Sequence, residues 1–138
     1  MENIKISSFF DSEGNLLKSL VTDEGPGNIK EIIKYLRFEI KDKHNPNEKL
    51  NINQLRKFYD TFLKIYNNNA EEKEKKIQLL MLKANAEYSA KRLKTNRFKE
   101  FLGGRINIVV SHSGDDFKNN LNALKLHLEA LVAYYPKN

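Results

Sequence analysis

The sequence is organised around residues 77–97, which form the stretch IQLLMLKANAEYSAKRLKTNR. Its apolar side chains recur at the i, i+3, i+4 spacing that places them on one side of an α-helix, at Ile77, Leu80, Met81, Ala84 and Tyr88, with Leu79, Leu82 and Ala86 beside them. This pattern predicts a helix that turns that face toward the core. The remaining face carries the bases Lys83, Lys91, Arg92, Lys94 and Arg97, so the same residues also suggest a polyanion-binding surface.

Length and composition predict one helical domain. A chain of 138 residues is long enough for a single buried core, and we expect one domain over residues 1–138. Within it, residues 1–22 are the candidate for a loosely packed N-terminal arm. Six Gly and three Pro are too few for a turn-rich β architecture. Because the chain has no Cys, disulfide bonds and thiolate metal sites are excluded.

The sequence shows neither a membrane span nor a signal peptide. No apolar run approaches the roughly 20 residues that cross a bilayer, and the first residues lack the basic-then-apolar order of a secretory signal. We therefore expect a cytoplasmic protein without membrane contact.

The net charge of +6 is concentrated in the middle of the chain. Residues 1–51 carry eight Lys and Arg against nine Asp and Glu, residues 52–105 carry thirteen against six, and residues 106–138 carry three against three. The excess of bases therefore lies on adjacent elements, which is the distribution expected of a polyanion-binding surface. A solvated, Lys-rich surface without a partner is the alternative.

Two segments before this stretch also have a helical apolar period. A helix is predicted from its cap at Asn28 to about Lys43, with Ile29, Ile32, Ile33, Leu36 and Ile40 inward. A second is predicted from Asn53 to about Asn67, capped by Asn51 or Asn53, with Leu55, Phe58, Tyr59, Phe62 and Tyr66 inward.

The C-terminal part predicts further helical elements. The pair Gly103 and Gly104 predicts a helix stop, and residues 106–110 a short helix or kinked continuation. Ser113 or Asp115 is the expected cap of a last helix that Pro136 ends, with Phe117, Leu121, Leu124, Leu128, Leu131, Val132 and Tyr135 inward. The predicted fold is all-α, a compact bundle of about five amphipathic helices.

Three segments of these helices resemble one family in order and spacing. They are residues 50–59 (LNINQLRKFY), 82–92 (LKANAEYSAKR) and 128–135 (LEALVAYY), and the matching positions of the first are Gln54, Arg56, Lys57 and Phe58, with Asn53 in the capping place. From residue 50 to its end, the chain is similar to the small subunit of the type III-A (Csm) CRISPR interference complex.

The resemblance implies a small, noncatalytic subunit of a guide-RNA ribonucleoprotein for antiviral defence. Such a subunit contacts guide RNA and target RNA along the backbone, and it packs against other Csm subunits and against copies of itself. Neither a cofactor nor a metal is implied.

Basic residues along the central helices are the candidate nucleic-acid ligands. A phosphate track needs Lys and Arg on a rigid face, and it needs no base readers where a guide supplies the sequence recognition. The candidates are Arg56, Lys57, Lys83, Lys91, Arg92, Lys94, Arg97 and Arg105. For each one the alternative is a solvated base or one that interacts with a helix dipole.

Other side chains leave different functions open. Tyr59, Tyr66 and Tyr88 are compatible with stacking on bases, although their helical spacing favours the core. His112 and Asp115 are compatible with a metal-dependent nuclease, although Ser, Gly and Asp before a helix are typical of capping, so we expect no enzyme. A purely protein-binding helical module with an acidic partner is the remaining alternative.

Overall fold

The computed structural model describes residues 4–40, 46–48, 50–93 and 95–137. In these residues the fold consists of a 3₁₀ helix (Lys18–Leu20), five α-helices and two short strands: α1 (Ile29–Arg37), β1 (Phe38–Ile40), β2 (Pro46–Glu48), α2 (Ile52–Asn67), α3 (Glu72–Leu93), α4 (Asn96–Val110) and α5 (Gly114–Tyr134). The helix α3 packs most extensively against α4, and α5 contacts α1, α2 and α4. The predicted all-α bundle is confirmed. No helix in the described ranges has the length and apolar character needed to cross a membrane.

The first helix begins where predicted but ends earlier. Asn28 caps it, because its Oδ1 accepts from the backbone N–H groups of Lys30 at 2.9 Å and Glu31 at 3.2 Å. The prediction of helix beyond Arg37 is wrong for residues 38–40, which form β1 and pair antiparallel with β2. Residues 41–43 of that prediction lie outside the described residues.

A side chain from α4 accounts for this early end. The Nη1 atom of Arg97 donates to the carbonyl oxygens of Tyr35 at 3.1 Å and Phe38 at 2.7 Å. The last carbonyls of a helix have no partner within the helix, so a guanidinium placed there satisfies them. With these carbonyl groups hydrogen-bonded, the helix can end at Arg37 and the chain continues from Phe38 as an extended strand.

The second helix starts at a complete capping box. Gln54 N–H donates to Asn51 Oδ1 at 2.9 Å, and Asn51 N–H donates to Gln54 Oε1 at 2.8 Å. Asn51 is therefore the N-cap, while Asn53, the other candidate, lies inside α2. The box satisfies two backbone N–H donors that would otherwise lack partners at the helix start.

The buried face of α3 is opposite to the predicted one. Ile77, Met81 and Tyr88 are 55%, 59% and 66% exposed, and Leu80 and Ala84 are also exposed. The core contacts come instead from Leu79, Leu82, Ala86 and Ala90. The prediction is wrong because α3 carries apolar residues on two opposite faces, and only packing selects between them. Helix α3 also ends at Leu93, so Arg97 belongs to α4.

Helix α4 continues through the two glycines at which a stop was predicted. It runs unbroken from Asn96 to Val110, with Ile106 and Val109 buried. Gly103 is buried against α3, and a Cβ there would lie 3.3 Å from Lys83 Cε. The missing side chain lets the two helices approach closely, so Gly103 serves the contact between α3 and α4 and does not end the helix.

The last helix has the predicted apolar face and an unexpected cap. Phe117, Leu121, Leu124, Leu128, Leu131 and Tyr135 are buried, and Val132 is half-buried. Ser113 occupies the N-cap position, but its side chain makes no capping hydrogen bond to the helix. The N–H of Gly114 donates instead to Glu72 Oε1 at 2.8 Å, and this bond is the main reason that the pKa of Glu72 is lowered.

The segment before α1 packs against the bundle. Ile4, Phe9 and Leu20 are buried in the common core. A turn separates Phe9 from Leu17, and Asp11 Oδ1 accepts there from the N–H groups of Glu13 and Asn15, both at 2.9 Å. Residues 4–28 therefore contribute to the same core as the helices.

Candidate nucleic-acid interface

Four of the candidate bases come from one end of the α2–α3 hairpin. A short connection joins the two helices, and Lys75 Nζ donates to the Tyr66 carbonyl oxygen at 2.8 Å across it. Such a connection makes the helices antiparallel neighbours, so the start of α2 and the end of α3 lie at the other end of the hairpin. Phe58 of α2 packs there on Phe98, with ring centroids 4.9 Å apart, next to the α3–α4 junction. We call Arg56, Lys57, Lys91 and Arg92 the basic end.

All four side chains of the basic end are exposed. Within the described part of the chain, none of them has a carboxylate oxygen within 4.0 Å. Arg92 lies beside an aromatic ring, with its Cζ 5.8 Å from the ring centroid of Tyr88. These charges are carried by stiff helices and are accessible to an anion in solvent.

Two further candidates are half-buried and bonded to the protein. Lys83 Nζ donates to Asn107 Oδ1 at 3.0 Å, which ties α3 to α4. Arg97 donates to two carbonyls at the end of α1, and its Cζ lies 4.6 Å from the ring centroid of Tyr35. Both residues hold helices together, and neither belongs to the basic end.

Arg105 lies in the core and not on the surface. It is 3% exposed, its Nε donates to His127 Nε2 at 2.9 Å, and its Nη2 donates to the Ile4 carbonyl oxygen at 2.9 Å. The guanidinium also lies over the Phe101 ring, at 4.1 Å from its centroid. Burial lowers the pKa of Arg105 to about 9, so the side chain is still charged at neutral pH. Lys94, the last candidate, lies outside the described residues.

The three tyrosines considered for stacking have different surroundings. Tyr59 and Tyr66 are half-buried against the core, and Tyr66 Oη donates to Asn122 Oδ1 at 3.1 Å. Burial, followed by the charges of Glu129 and Asp60, raises the pKa of Tyr59. Tyr88 stands apart because it is exposed and lies at i−4 from Arg92 of the basic end.

An exposed apolar surface on α3 was missed by the sequence interpretation. Ile77, Leu80, Met81 and Ala84 form a continuous row on the helix face that leads to Tyr88. We call these four residues the α3 stripe. The signal was present in the sequence as two opposite apolar faces on one helix, which is typical of a helix that packs on both sides.

The residues considered for a nuclease have structural contacts. His112 Nδ1 lies 2.7 Å from the Ile108 carbonyl oxygen, so this nitrogen carries the hydrogen and closes the last turn of α4. Asp115 and Asp116 lie in the first turn of α5, where negative charge stabilises a helix. No cluster of three or more His, Asp or Glu suited to a metal ion occurs among the described side chains.

Comparison with known proteins gives the family. The family model described as Csm2 Type III-A matches residues 29–137, from the start of α1 to just beyond α5. The match includes all five helices and therefore extends the resemblance, which began at residue 50, back to α1. Neither the curated proteins nor the solved structures contain a match to the chain. The chain therefore belongs to the Csm2 family of type III-A CRISPR systems and is a small subunit of the Csm complex.

Proposed function

We propose that this Csm2 chain is a noncatalytic subunit that holds the phosphate backbone of RNA on its basic end. The observation that carries the proposal is the set of four exposed cations on rigid helices, with no carboxylate within 4.0 Å among the described residues. Cations of this kind bind phosphates by releasing the counterions of the strand. Arg56 and Arg92 are able to hold a phosphate through two parallel hydrogen bonds.

The proposed contact needs no groups that read base edges. In a guide-RNA complex, base pairing with the guide recognises the sequence, and the protein recognises the shape and charge of the strand. Backbone contacts position a strand without reading it. The partners are therefore guide RNA and target RNA, bound with the same affinity whatever their sequence.

Affinity for RNA should fall steeply as salt rises. Four phosphate contacts on a single strand correspond to a slope of about −2.8 in a plot of log K against log salt concentration. Replacing Arg56, Lys57 and Arg92 with Gln should bring that slope closer to zero by about 2 and weaken binding on the order of a hundredfold at 0.1 M salt. The measurement is binding of the full chain to a single-stranded RNA oligomer across a salt series.

Three exposed lysines away from the basic end offer a matched control. Lys64, Lys73 and Lys118 are exposed in the last turn of α2 and near the starts of α3 and α5. Replacing these three with Gln removes as much positive charge as the first triple variant does. The affinity for RNA and its slope against salt should both stay within about twofold of their original values. Equal weakening by both triple variants would mean that only net charge matters, and a weak, flat salt response of the unaltered chain would refute the backbone contact.

We further propose that the α3 stripe packs against another protein subunit of the Csm complex. Ile77 and Met81 are more than half exposed, and a contiguous exposed apolar row is typical of a protein interaction site. The family places the chain inside a multisubunit complex, where such a row would be covered. Self-association through other surfaces of the chain is compatible with this arrangement.

A double substitution in the stripe tests this contact. Leu80→Ser with Met81→Ser should lower the amount of the chain that copurifies with the other Csm subunits by about tenfold. It should change the free energy of unfolding by less than about 1 kcal/mol, because both side chains are exposed and each such substitution costs at most about 0.5 kcal/mol. As a control, Leu126→Ser changes an exposed apolar residue of α5 and should leave copurification with the other Csm subunits unchanged. Undiminished copurification of the double variant would refute the proposal.

A further inference from the structure

Tyr88 differs from the other tyrosines considered for stacking in its exposure, and it lies beside two cations of the basic end. It is 66% exposed, it lies at i−4 from Arg92 and i−3 from Lys91 on the same helix, and the Arg92 guanidinium lies 5.8 Å from its ring centroid. Residues three and four apart lie on the same face of a helix. The ring is therefore directed to the same side as two cations of the basic end.

We infer that Tyr88 is a stacking platform for one base of the strand whose phosphates the basic end holds. The inference rests on the proposed function and adds a contact to the base, which a backbone track alone does not provide. Single-strand binders combine a basic groove along the backbone with aromatic rings on which bases stack. Because every base has a flat π-face, this contact tolerates any sequence.

The neighbouring guanidinium strengthens the case for a nucleic acid. A cation beside an aromatic ring is attracted to the ring face, and Arg can also stack on a base or bind a phosphate. The pair of Tyr88 and Arg92 thus offers one group for the base and one for the adjacent phosphate. At a protein contact, covering Tyr88 would also bury the Arg92 charge, which would then require a carboxylate from the partner.

The test compares strands with and without bases. The full chain is titrated with a single-stranded RNA oligomer and with a sugar–phosphate strand of the same length that lacks bases, at two salt concentrations. We expect the base-bearing strand to bind about tenfold more tightly to the unaltered chain. Tyr88→Ala should reduce that ratio to about 1 while the slope against salt stays the same, because all four cations remain.

Two variants control for loss of the ring and loss of apolar surface. Tyr88→Phe keeps the ring and should keep the tenfold ratio, since stacking does not require the hydroxyl. Met81→Ala removes another exposed side chain two turns earlier on the same helix and should also keep the ratio. Circular dichroism should be unchanged in all three variants, because each substitution is at an exposed position.

A tryptophan supplies an independent readout. The chain contains no Trp, so Tyr88→Trp introduces a single reporter whose fluorescence should be quenched by the base-bearing strand and not by the strand without bases.

The outcomes separate the two proposals. If both strands bind equally to the unaltered chain with a steep salt slope, the stacking contact is refuted and the backbone contact stands. If neither strand binds at low salt, both fail together. If Tyr88→Ala leaves the ratio at tenfold but lowers copurification with other Csm subunits, the ring belongs to a protein contact and the inference is wrong.

Discussion

Arg105→Ala is expected to lower the free energy of unfolding by about 3–5 kcal/mol. The substitution leaves His127 Nε2 and the Ile4 carbonyl oxygen without the donors that now satisfy them at 2.9 Å. Each buried polar group without a partner costs about 1–3 kcal/mol, and the lost contact with Phe101 adds a cavity. Among the described residues, the segment before α1 would also lose one of the two hydrogen bonds that it accepts from side chains of α4 and α5.

Chemical denaturation of the unaltered chain and the variant measures this loss. Arg56→Ala is the matched control, because it removes an exposed arginine and should cost less than about 0.5 kcal/mol. Arg105→Lys keeps the charge but not the geometry of the guanidinium, so we expect an intermediate loss. A loss below about 1 kcal/mol for Arg105→Ala would contradict a role in the core.

Stability should decrease in acid because His127 is held neutral in the folded state. The ring is fully buried, its Nδ1 hydrogen is donated to the Leu20 carbonyl oxygen at 2.7 Å, and its Nε2 accepts from Arg105. Burial first, and then the charge of Arg105, lowers the pKa of His127 from 6.5 to about 3. Between these two pH values the unfolded chain binds a proton that the folded chain does not bind, so the free energy of unfolding falls as the pH falls.

The expected loss is about 3 kcal/mol between pH 7.5 and pH 4 from this one group. It is measured by denaturant titration at a series of pH values for the unaltered chain and for His127→Gln. The variant should be less stable at pH 7.5 but should lack this part of the pH dependence. Carboxylates such as Glu72, whose pKa is lowered, also reduce stability in acid. They do so in both proteins, so their contribution cancels when the two pH profiles are compared.

Identical pH profiles for the unaltered chain and His127→Gln would refute the assignment of this sensitivity to His127.

Local signals in the sequence predicted the starts of α1 and α2 and the buried face of α5. Asn28 and Asn51 cap α1 and α2 through bonds to residues within the next three positions, so neighbouring residues are sufficient to recognise them. The buried face of α5 follows from an apolar period that its own residues contain.

The candidate site was less predictable because it depends on distant contacts. A basic residue near a helix end has the same appearance in sequence whether it faces solvent, like Arg92, or bonds to a distant helix, like Arg97. The sequence does not distinguish Arg105 from Arg56. Only the contacts of Arg105 with Ile4 and His127 place it in the core. Exposure is a property of the packed chain, whereas charge is a property of the residue.

The sequence by itself determined that the chain is helical, where α2 and α5 lie, and that the excess positive charge is in the middle third. Only the tertiary structure decided which side of α3 is buried and which bases remain available. The physical reason is that α3 has two apolar faces of similar character, and the close approach of α4 at Gly103 selects one of them. The other face, with the α3 stripe and Tyr88, is thereby left to solvent.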